Sequence, residues 1–189
     1  INDECPAVSG TQANGCPVLS TPTDAPVAPT TDASLVTSIF SDAYTDISSV
    51  FAPSWGQATV SVEETIAGNT VKKLTNFNFV GIDNIGGDAA NRVAVANVTH
   101  VAFDYWTPNG TALRIKLVDY GADGEYAGDL IQPLYTVTEA APTETWTKVV
   151  IPLSDFISPS LSFDGKIGQI VFEGGTGTET FYIDNLYFY

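Results

Sequence analysis

Basic residues are scarce in this sequence, and their scarcity excludes whole classes of partner. Seven Lys and Arg residues stand against 22 Asp and Glu residues, which gives a formal net charge of −15. Nucleic-acid binding depends on clustered Lys and Arg side chains that neutralise phosphates, and anionic membranes and sulfated polymers attract the same charges. We therefore expect no nucleic-acid partner, and neutral ligands or cations instead.

Methionine is absent, and His100 is the single histidine. A Ser-His-Asp or Cys-His catalytic set is therefore not expected. Paired carboxylates of the glycosidase kind are not excluded by counting, but most acidic residues lie in turn-like segments, where Asp is favoured for local hydrogen bonding. The start of the chain has no basic n-region, so we expect any signal peptide to have been removed. Because no catalytic set stands out among these residues, we expect no enzyme activity. No apolar run has the length that a membrane span needs, so we also expect no membrane insertion by this segment.

The two cysteines, Cys5 and Cys16, lie in a segment with little core-forming character. A disulfide between them would stabilise the fold by roughly 3 kcal/mol, because it restricts the unfolded chain, and it would indicate an oxidising compartment. Two unpaired thiols are the alternative. Residues 20–31 follow with three prolines and four threonines, a composition typical of an extended, semi-rigid linker. We predict that residues 1–33 form a disulfide-closed tail and a linker that joins the chain covalently to upstream domains of a larger protein.

Short alternating segments dominate the rest of the chain. Large apolar side chains occupy every second position in residues 101–106, and Leu and Ile alternate with basic residues in residues 113–117. This period of two indicates half-buried strands, and turns rich in Gly, Pro and Asn separate them. Residues 35–44 are ambiguous between helix and strand, and their β-branched content favours a strand. The pattern predicts an all-β fold, a two-sheet antiparallel β-sandwich (jelly roll), over residues 34–189.

Two tryptophans are the leading candidates for ligand contacts. Flat aromatic rings suit the apolar C–H faces of neutral sugars, and a few polar groups then fix the orientation. Trp55 lies in a loop with Pro and Gly, and Trp106 ends the strand that carries Asp104; core packing is the alternative for both rings. If the strands 101–106 and 113–119 pair, Asp104 shares its face with two basic residues, as salt-bridge partners or as a ligand surface. The candidate carbohydrate-contacting residues are Trp55, Trp106, Asn78, Asp104, Arg114, Lys116 and Tyr126.

An ordered set of segments resembles a known family: residues 38–44, 54–57, 76–82, 103–108, 117–124, 146–156 and 182–188. It is similar to the carbohydrate-binding modules of the galactose-binding-like jelly-roll type that Bacteroidetes carry on secreted glycoside hydrolases and surface glycan-binding proteins. The resemblance implies a non-catalytic, secreted or cell-surface module that binds a polysaccharide, with laminarin (β-1,3-glucan) as the expected neutral β-glucan.

The same resemblance implies one structural Ca²⁺ between the first and last strands, held by Asp42 and Asp184. Ca²⁺ takes six to eight oxygen ligands, and carboxylates and backbone carbonyls supply them. Asp184 lies in an aromatic stretch, where an ionised carboxylate is costly unless it is paired, hydrogen-bonded or bound to a cation. The alternative is an Asp that accepts hydrogen bonds from the backbone N–H groups of a β-bulge.

Three functional hypotheses follow from the sequence. The first is a non-catalytic module that tethers a larger secreted or surface protein to a polysaccharide. The second is a small β-sandwich polysaccharide hydrolase or lyase, which 22 acidic residues could supply with a carboxylate pair. The third is a structural or adhesion module without glycan affinity.

Overall fold

The computed structural model describes residues 19–127, 132–139, 141, 144–156 and 165–189. Within these ranges the chain forms twelve strands and three short 3-10 helices at Ala33–Leu35, Val95–Asn97 and Leu153–Phe156. No helix in these ranges has the length and apolarity needed to cross a membrane. The strands are β1 (Thr37–Phe40), β2 (Val50–Phe51), β3 (Val60–Ile66), β4 (Asn69–Phe77), β5 (Phe79–Asp83), β6 (Val93–Ala94), β7 (His100–Trp106), β8 (Leu113–Asp119), β9 (Leu134–Thr138), β10 (Thr147–Pro152), β11 (Lys166–Glu173) and β12 (Glu179–Phe188).

The strands assemble into two sheets that pack face to face. Sheet A has the order β10-β7-β12-β4-β3, with β1 also paired to β12, and sheet B has the order β2-β5-β11-β8-β9, with β6 also paired to β11. All the strand pairs within the two sheets are antiparallel. The prediction of an all-β, two-sheet antiparallel sandwich is therefore confirmed.

The core lies between the two inner faces and follows the alternation that the sequence shows. Phe103 of sheet A meets Phe172 of sheet B edge to face, with ring centroids 5.0 Å apart. Strand β12 is buried along its whole length because β7 and β4 flank it and both of its faces are covered. The aromatic end of the chain is thus a central strand of sheet A.

The ambiguous segment 35–44 begins with a single 3-10 turn and continues as strand β1. Asp32 caps the turn, since its carboxylate accepts a hydrogen bond of 2.9 Å from the backbone N–H of Ser34. Beyond the turn the chain pairs with the end of β12, with Thr37 opposite Phe188. The strand prediction is confirmed for Thr37–Phe40, where β-branched side chains favour the extended backbone.

Strands β7 and β8 do not pair, and the expectation of one shared face is wrong. β7 belongs to sheet A, whereas β8 lies in sheet B between β11 and β9. The connecting turn carries the chain from one sheet to the other. Thr107 fixes this turn because its hydroxyl donates to the carbonyl of Thr180 at 2.6 Å and accepts from the N–H of Gly110 at 2.7 Å.

Residues 20–31 lie against the outer face of sheet A, and Pro22 and Pro26 are buried there. The predicted boundary at residue 33 therefore separates two stretches that are in contact. Cys5 and Cys16 lie outside the described residues, so their disulfide stays a prediction.

Candidate functional site

The outer face of sheet B carries a partly exposed tryptophan ring. The side chains of Val80 and Ile82 enter the core, so Gly81 between them faces outward. The indole of Trp55 lies directly over this glycine: a Cβ atom on Gly81 would come within 2.0 Å of the ring. Trp55 keeps 37% of its surface exposed. A glycine is needed at this position because any side chain would displace the ring.

The loop before β3 holds Trp55 in place through its own polar groups. The backbone N–H of Trp55 donates to the side-chain oxygen of Gln57 at 2.8 Å, and the amide nitrogen of Gln57 donates to the carbonyl of Pro53 at 2.6 Å. Asn78 secures the far end of the loop, since its Oδ1 accepts from the N–H and hydroxyl groups of Thr59 at 3.2 and 2.9 Å. The tryptophan is thus presented by a fixed loop.

On one side of Trp55, the outward side chains of β5, β11 and β8 line a cavity of about 490 Å³. Its floor is apolar at Val118 and Val171, and polar groups stand at its rim. Lys116 and Glu173 form an ion pair of 2.9 Å in this cavity, which neutralises both charges. The lining residues are Trp55, Asn78, Phe79, Lys116, Val118, Gln132, Gln169, Val171, Glu173 and Gly174.

On the other side of Trp55, a second cavity of about 620 Å³ continues the same depression. Tyr120 and Tyr126 meet edge to face at 5.5 Å, and the guanidinium of Arg92 lies 4.7 Å from the ring centre of Tyr120. Burial, reinforced by the nearby Asp83 carboxylate, raises the pKa of Tyr120 to about 12, so its hydroxyl stays protonated. Trp55, Gln132 and Gln169 line both cavities, which therefore form one groove.

Four of the seven predicted contact residues line this groove: Trp55, Asn78, Lys116 and Tyr126. Asn78 already uses its oxygen to hold the loop, so its amide NH2 group is what it can offer to a ligand. Arg114 lies two positions before Lys116 on the same face of β8. Its guanidinium binds both oxygens of Glu139 at 2.9 Å, outside the groove lining.

Trp106 and Asp104 lie on the opposite side of the sandwich, on the outer face of sheet A, because β7 and β8 belong to different sheets. Trp106 is only 5% exposed and packs edge to face on Tyr182 at 5.5 Å. Asp104 is buried and accepts a hydrogen bond of 2.8 Å from the side-chain amide of Asn185. Neither residue can contact a ligand in the groove, and Trp106 fits the core-packing alternative.

Sequence reasoning did not select Phe79, Asp83, Arg92 or Gln169 for the groove. The alternation in β5 and β11 places Phe79, Asp83 and Gln169 on the outward face, so that signal was available. What the sequence could not show is that β5, β11 and β8 are neighbours, since they are distant along the chain.

Asp184 is fully buried and accepts hydrogen bonds within a bulge of β12. Its Oδ1 accepts from the N–H of Asn185 at 2.6 Å, and its Oδ2 accepts from the side-chain amide of Asn69 at 2.5 Å. Asn185 has a φ of 50°, which marks the bulge. Burial raises the pKa of Asp184 to about 6, and the charges of Asp104 and Asp42 act in the same direction.

The fit of these residues to a Ca²⁺ ion is incomplete. Asp42 is exposed, and its carboxylate accepts a hydrogen bond of 2.7 Å from the N–H of Thr70. The carboxylates of both predicted ligands therefore already accept hydrogen bonds from the protein. Across the described ranges no group of three or more His, Cys, Asp or Glu side chains is placed to hold a metal. Asp184 matches the bulge alternative, and the calcium ion at Asp42 and Asp184 stays a prediction.

Comparisons with known proteins agree with this architecture. The model of the family "Carbohydrate binding domain 30" matches residues 56–189. The family 30 carbohydrate-binding module of the cellulosomal cellulase Cel9D-Cel44B of Clostridium thermocellum has a TM-score of 0.58 at 15% identity, over 82% of this chain and 96% of that one. Another solved structure of a family 30 carbohydrate-binding module has a TM-score of 0.56 at 14% identity, over 81% of this chain and 86% of that one.

The family 11 module from Clostridium thermocellum, in complex with a β-1,3-1,4-mixed-linked tetrasaccharide, gives a TM-score of 0.46 at 17% identity, over 75% of this chain and 86% of that one. No curated protein sequence matches the chain significantly. The family is one of carbohydrate-binding modules, and the prediction of a carbohydrate-binding module without enzyme activity is confirmed. The chain belongs to the carbohydrate binding domain 30 family.

Proposed function

We propose that this module binds a neutral β-glucan, such as laminarin, in the groove on the outer face of sheet B. Through that contact it tethers a larger secreted or surface protein to the polysaccharide. One observation carries the proposal: the indole of Trp55, 37% exposed, lies over Gly81 where the two cavities meet. A ring held against the sheet and partly exposed offers its exposed surface to a sugar.

The chemistry of the groove suits a sugar with many hydroxyl groups. Apolar surface comes from Trp55, Phe79 and Val171, and amide groups come from Asn78, Gln132 and Gln169. This mixture of a flat apolar surface with a few directed polar groups is what orients a small neutral ligand.

The charges of the groove favour a neutral glycan over an acidic one. The ion pair with Glu173 neutralises Lys116, and Asp83 is also present near Arg92. The chain as a whole carries a formal net charge of −15, which opposes the approach of a polyanion. The choice of a β-glucan rests on the family resemblance described for the sequence.

The length of the groove supports a polymer over a single sugar. The two cavities of about 490 and 620 Å³ are joined through three shared residues. Each is of the size that ordinarily holds a small-molecule ligand, so together they have room for several sugar residues.

Affinity electrophoresis tests the proposal. Native gels would contain laminarin, mixed-linkage β-glucan, hydroxyethylcellulose, xylan or the anionic polymer polygalacturonate. We expect retardation on at least one neutral β-glucan and none on polygalacturonate. Absence of retardation on all the neutral gels would refute the proposal and favour the structural or adhesion hypothesis.

A further inference from the structure

Residues 20–31, here called the strap, lie across the outer face of sheet A. Their Pro and Thr composition predicts a solvated linker, yet the side chains of Pro22 and Pro26 are buried. The residues beside these contacts are exposed or half-buried, and Val27, directly after Pro26, is 86% exposed. The strap is therefore an extended segment that touches the sandwich through selected residues.

The first part of the strap is bound by Trp146 and Glu144. The indole N–H of Trp146 donates to the backbone carbonyl of Asp24 at 2.6 Å, and the hydroxyl of Ser20 donates to the carboxylate of Glu144. Trp146 itself packs against the apolar cluster of Trp106, Tyr182, Ile66 and Val71. The strap thus lies beside an aromatic patch that belongs to the sandwich.

The second part of the strap is bound by two tyrosines. The hydroxyl of Tyr44 donates to the carbonyl of Thr31 at 2.8 Å, and the ring of Tyr44 meets that of Tyr187 edge to face at 5.4 Å. Tyr187 projects from the outer face of β12 and is 1% exposed. The strap is consequently fixed near both of its ends.

The bonding pattern suits a proline-rich segment. Prolines have no backbone N–H to donate, and the strap carbonyls of Asp24 and Thr31 accept hydrogen bonds from side-chain donors of the sandwich. The three prolines also restrict the unbound segment to extended conformations, which lowers the entropy lost on docking.

We propose that the strap is an integral part of the module and acts as a rigid tether. It holds the point at which the preceding chain leaves, beside Glu144, on the face of the sandwich opposite the Trp55 groove. The strap thereby fixes where the chain enters the module, on the side of the sandwich away from the groove. The docking of the strap does not depend on glycan binding, whereas its role in keeping the groove clear of the preceding chain rests on the proposed function.

Spin-label spectroscopy on the full chain tests the docking. A nitroxide on Val27→Cys, in a Cys5→Ser/Cys16→Ser background, reports backbone motion without disturbing a buried contact. We expect a slow-motion spectrum in the folded protein and a rise of the fast component in Trp146→Ala. Trp146→Phe, which keeps a ring but removes the N–H donor, should give an intermediate spectrum. A label as mobile in the folded protein as in guanidinium would overturn the proposal.

A second label gives the placement of the strap. Leu134 is exposed on the outer face of sheet B. The distance between labels on Val27→Cys and Leu134→Cys therefore spans the sandwich. We expect one narrow distance distribution that broadens in Trp146→Ala. A broad distribution in the parent protein would overturn the rigid tether.

The matched control is Trp55→Ala, which should lose polysaccharide retention and leave both label measurements unchanged. Trp146→Ala should release the strap and still be retarded on the polysaccharide gel. If the parent protein is not retarded on any neutral gel while its strap is ordered and Trp146→Ala releases the strap, the proposed function fails and the tether stands.

Discussion

Replacing Trp55 with alanine removes the ring on which we propose that the sugar stacks, and it should weaken binding in a protein that stays folded. The ring lies over Gly81 and belongs to neither hydrophobic cluster of the sandwich. Its removal therefore opens no cavity in the core. We expect the free energy of unfolding to fall by about 1–2 kcal/mol, less than the roughly 3–5 kcal/mol typical of a tryptophan in a packed core.

The loss of affinity can be estimated from the exposed fraction of the ring. Trp55 is 37% exposed, and a tryptophan buries up to about 250 Å², so a stacked sugar can cover roughly 90 Å² of it. At about 25 cal/mol per Å² this contact is worth about 2 kcal/mol, or about a 30-fold rise in Kd. Isothermal titration calorimetry with a soluble neutral β-glucan that retards the parent protein measures this change.

Trp106→Ala is the matched control. Trp106 is 5% exposed in a packed aromatic cluster, so its truncation should cost about 3–5 kcal/mol of stability. The folded fraction should bind the glucan with unchanged Kd. The reasoning is refuted if Trp55→Ala leaves Kd unaltered, or if Trp106→Ala raises Kd in protein that is demonstrably folded.

Three further predictions concern the groove and the buried acid. Gly81→Ala should displace the indole of Trp55, because a Cβ there meets ring atoms at 2.0–2.8 Å, and so raise Kd about tenfold with the indole still present; an unchanged Kd would show that the ring position is irrelevant. The raised pKa of Asp184, about 6 against 3.8, means that the stability this carboxyl contributes is present below pH 3.8 and lost as the pH rises through about 6. We therefore expect Asp184→Asn, measured in EDTA, to melt at a higher temperature than the parent, with a larger difference at pH 7.5 than at pH 4.5. The gain in stability should reach up to about 3 kcal/mol at pH 7.5. Equal differences at the two pH values would contradict this prediction. If Ca²⁺ binds at Asp42 and Asp184 as the resemblance implies, EDTA should lower the melting temperature of the parent protein at pH 7.5, and an unchanged melting temperature would remove the calcium prediction.

The sandwich itself was predictable because its cause is local. Alternation of apolar and polar residues in 101–106 and 113–119 fixes which side chains enter the core, and the structure buries them as expected. Which sheet each strand joins is a different kind of information. The sequence leaves open whether 101–106 and 113–119 pair across the turn at Thr107, and in the structure the chain passes through that turn into the other sheet.

That single topological error explains most of the difference between the predicted site and the groove. Trp55 was identifiable because a tryptophan in a Pro and Gly loop has no need to fill a core. Asp104 and Trp106 were grouped with Arg114 and Lys116 only through the supposed pairing of β7 with β8. The groove instead forms from β5, β11 and β8, and long-range pairing of this kind leaves no signal in one sequence.

The three indole N–H groups of the protein offer the most direct test of the proposed binding face, because Trp55 lies on sheet B while Trp106 and Trp146 lie on the side of sheet A. A ¹⁵N-labelled sample titrated with a soluble β-glucan oligosaccharide reports each indole separately. The Trp55 signal should shift progressively to saturation while the Trp106 and Trp146 signals stay in place. Shifts at Trp106 or Trp146 with an unmoved Trp55 would contradict the assignment of glycan binding to the outer face of sheet B.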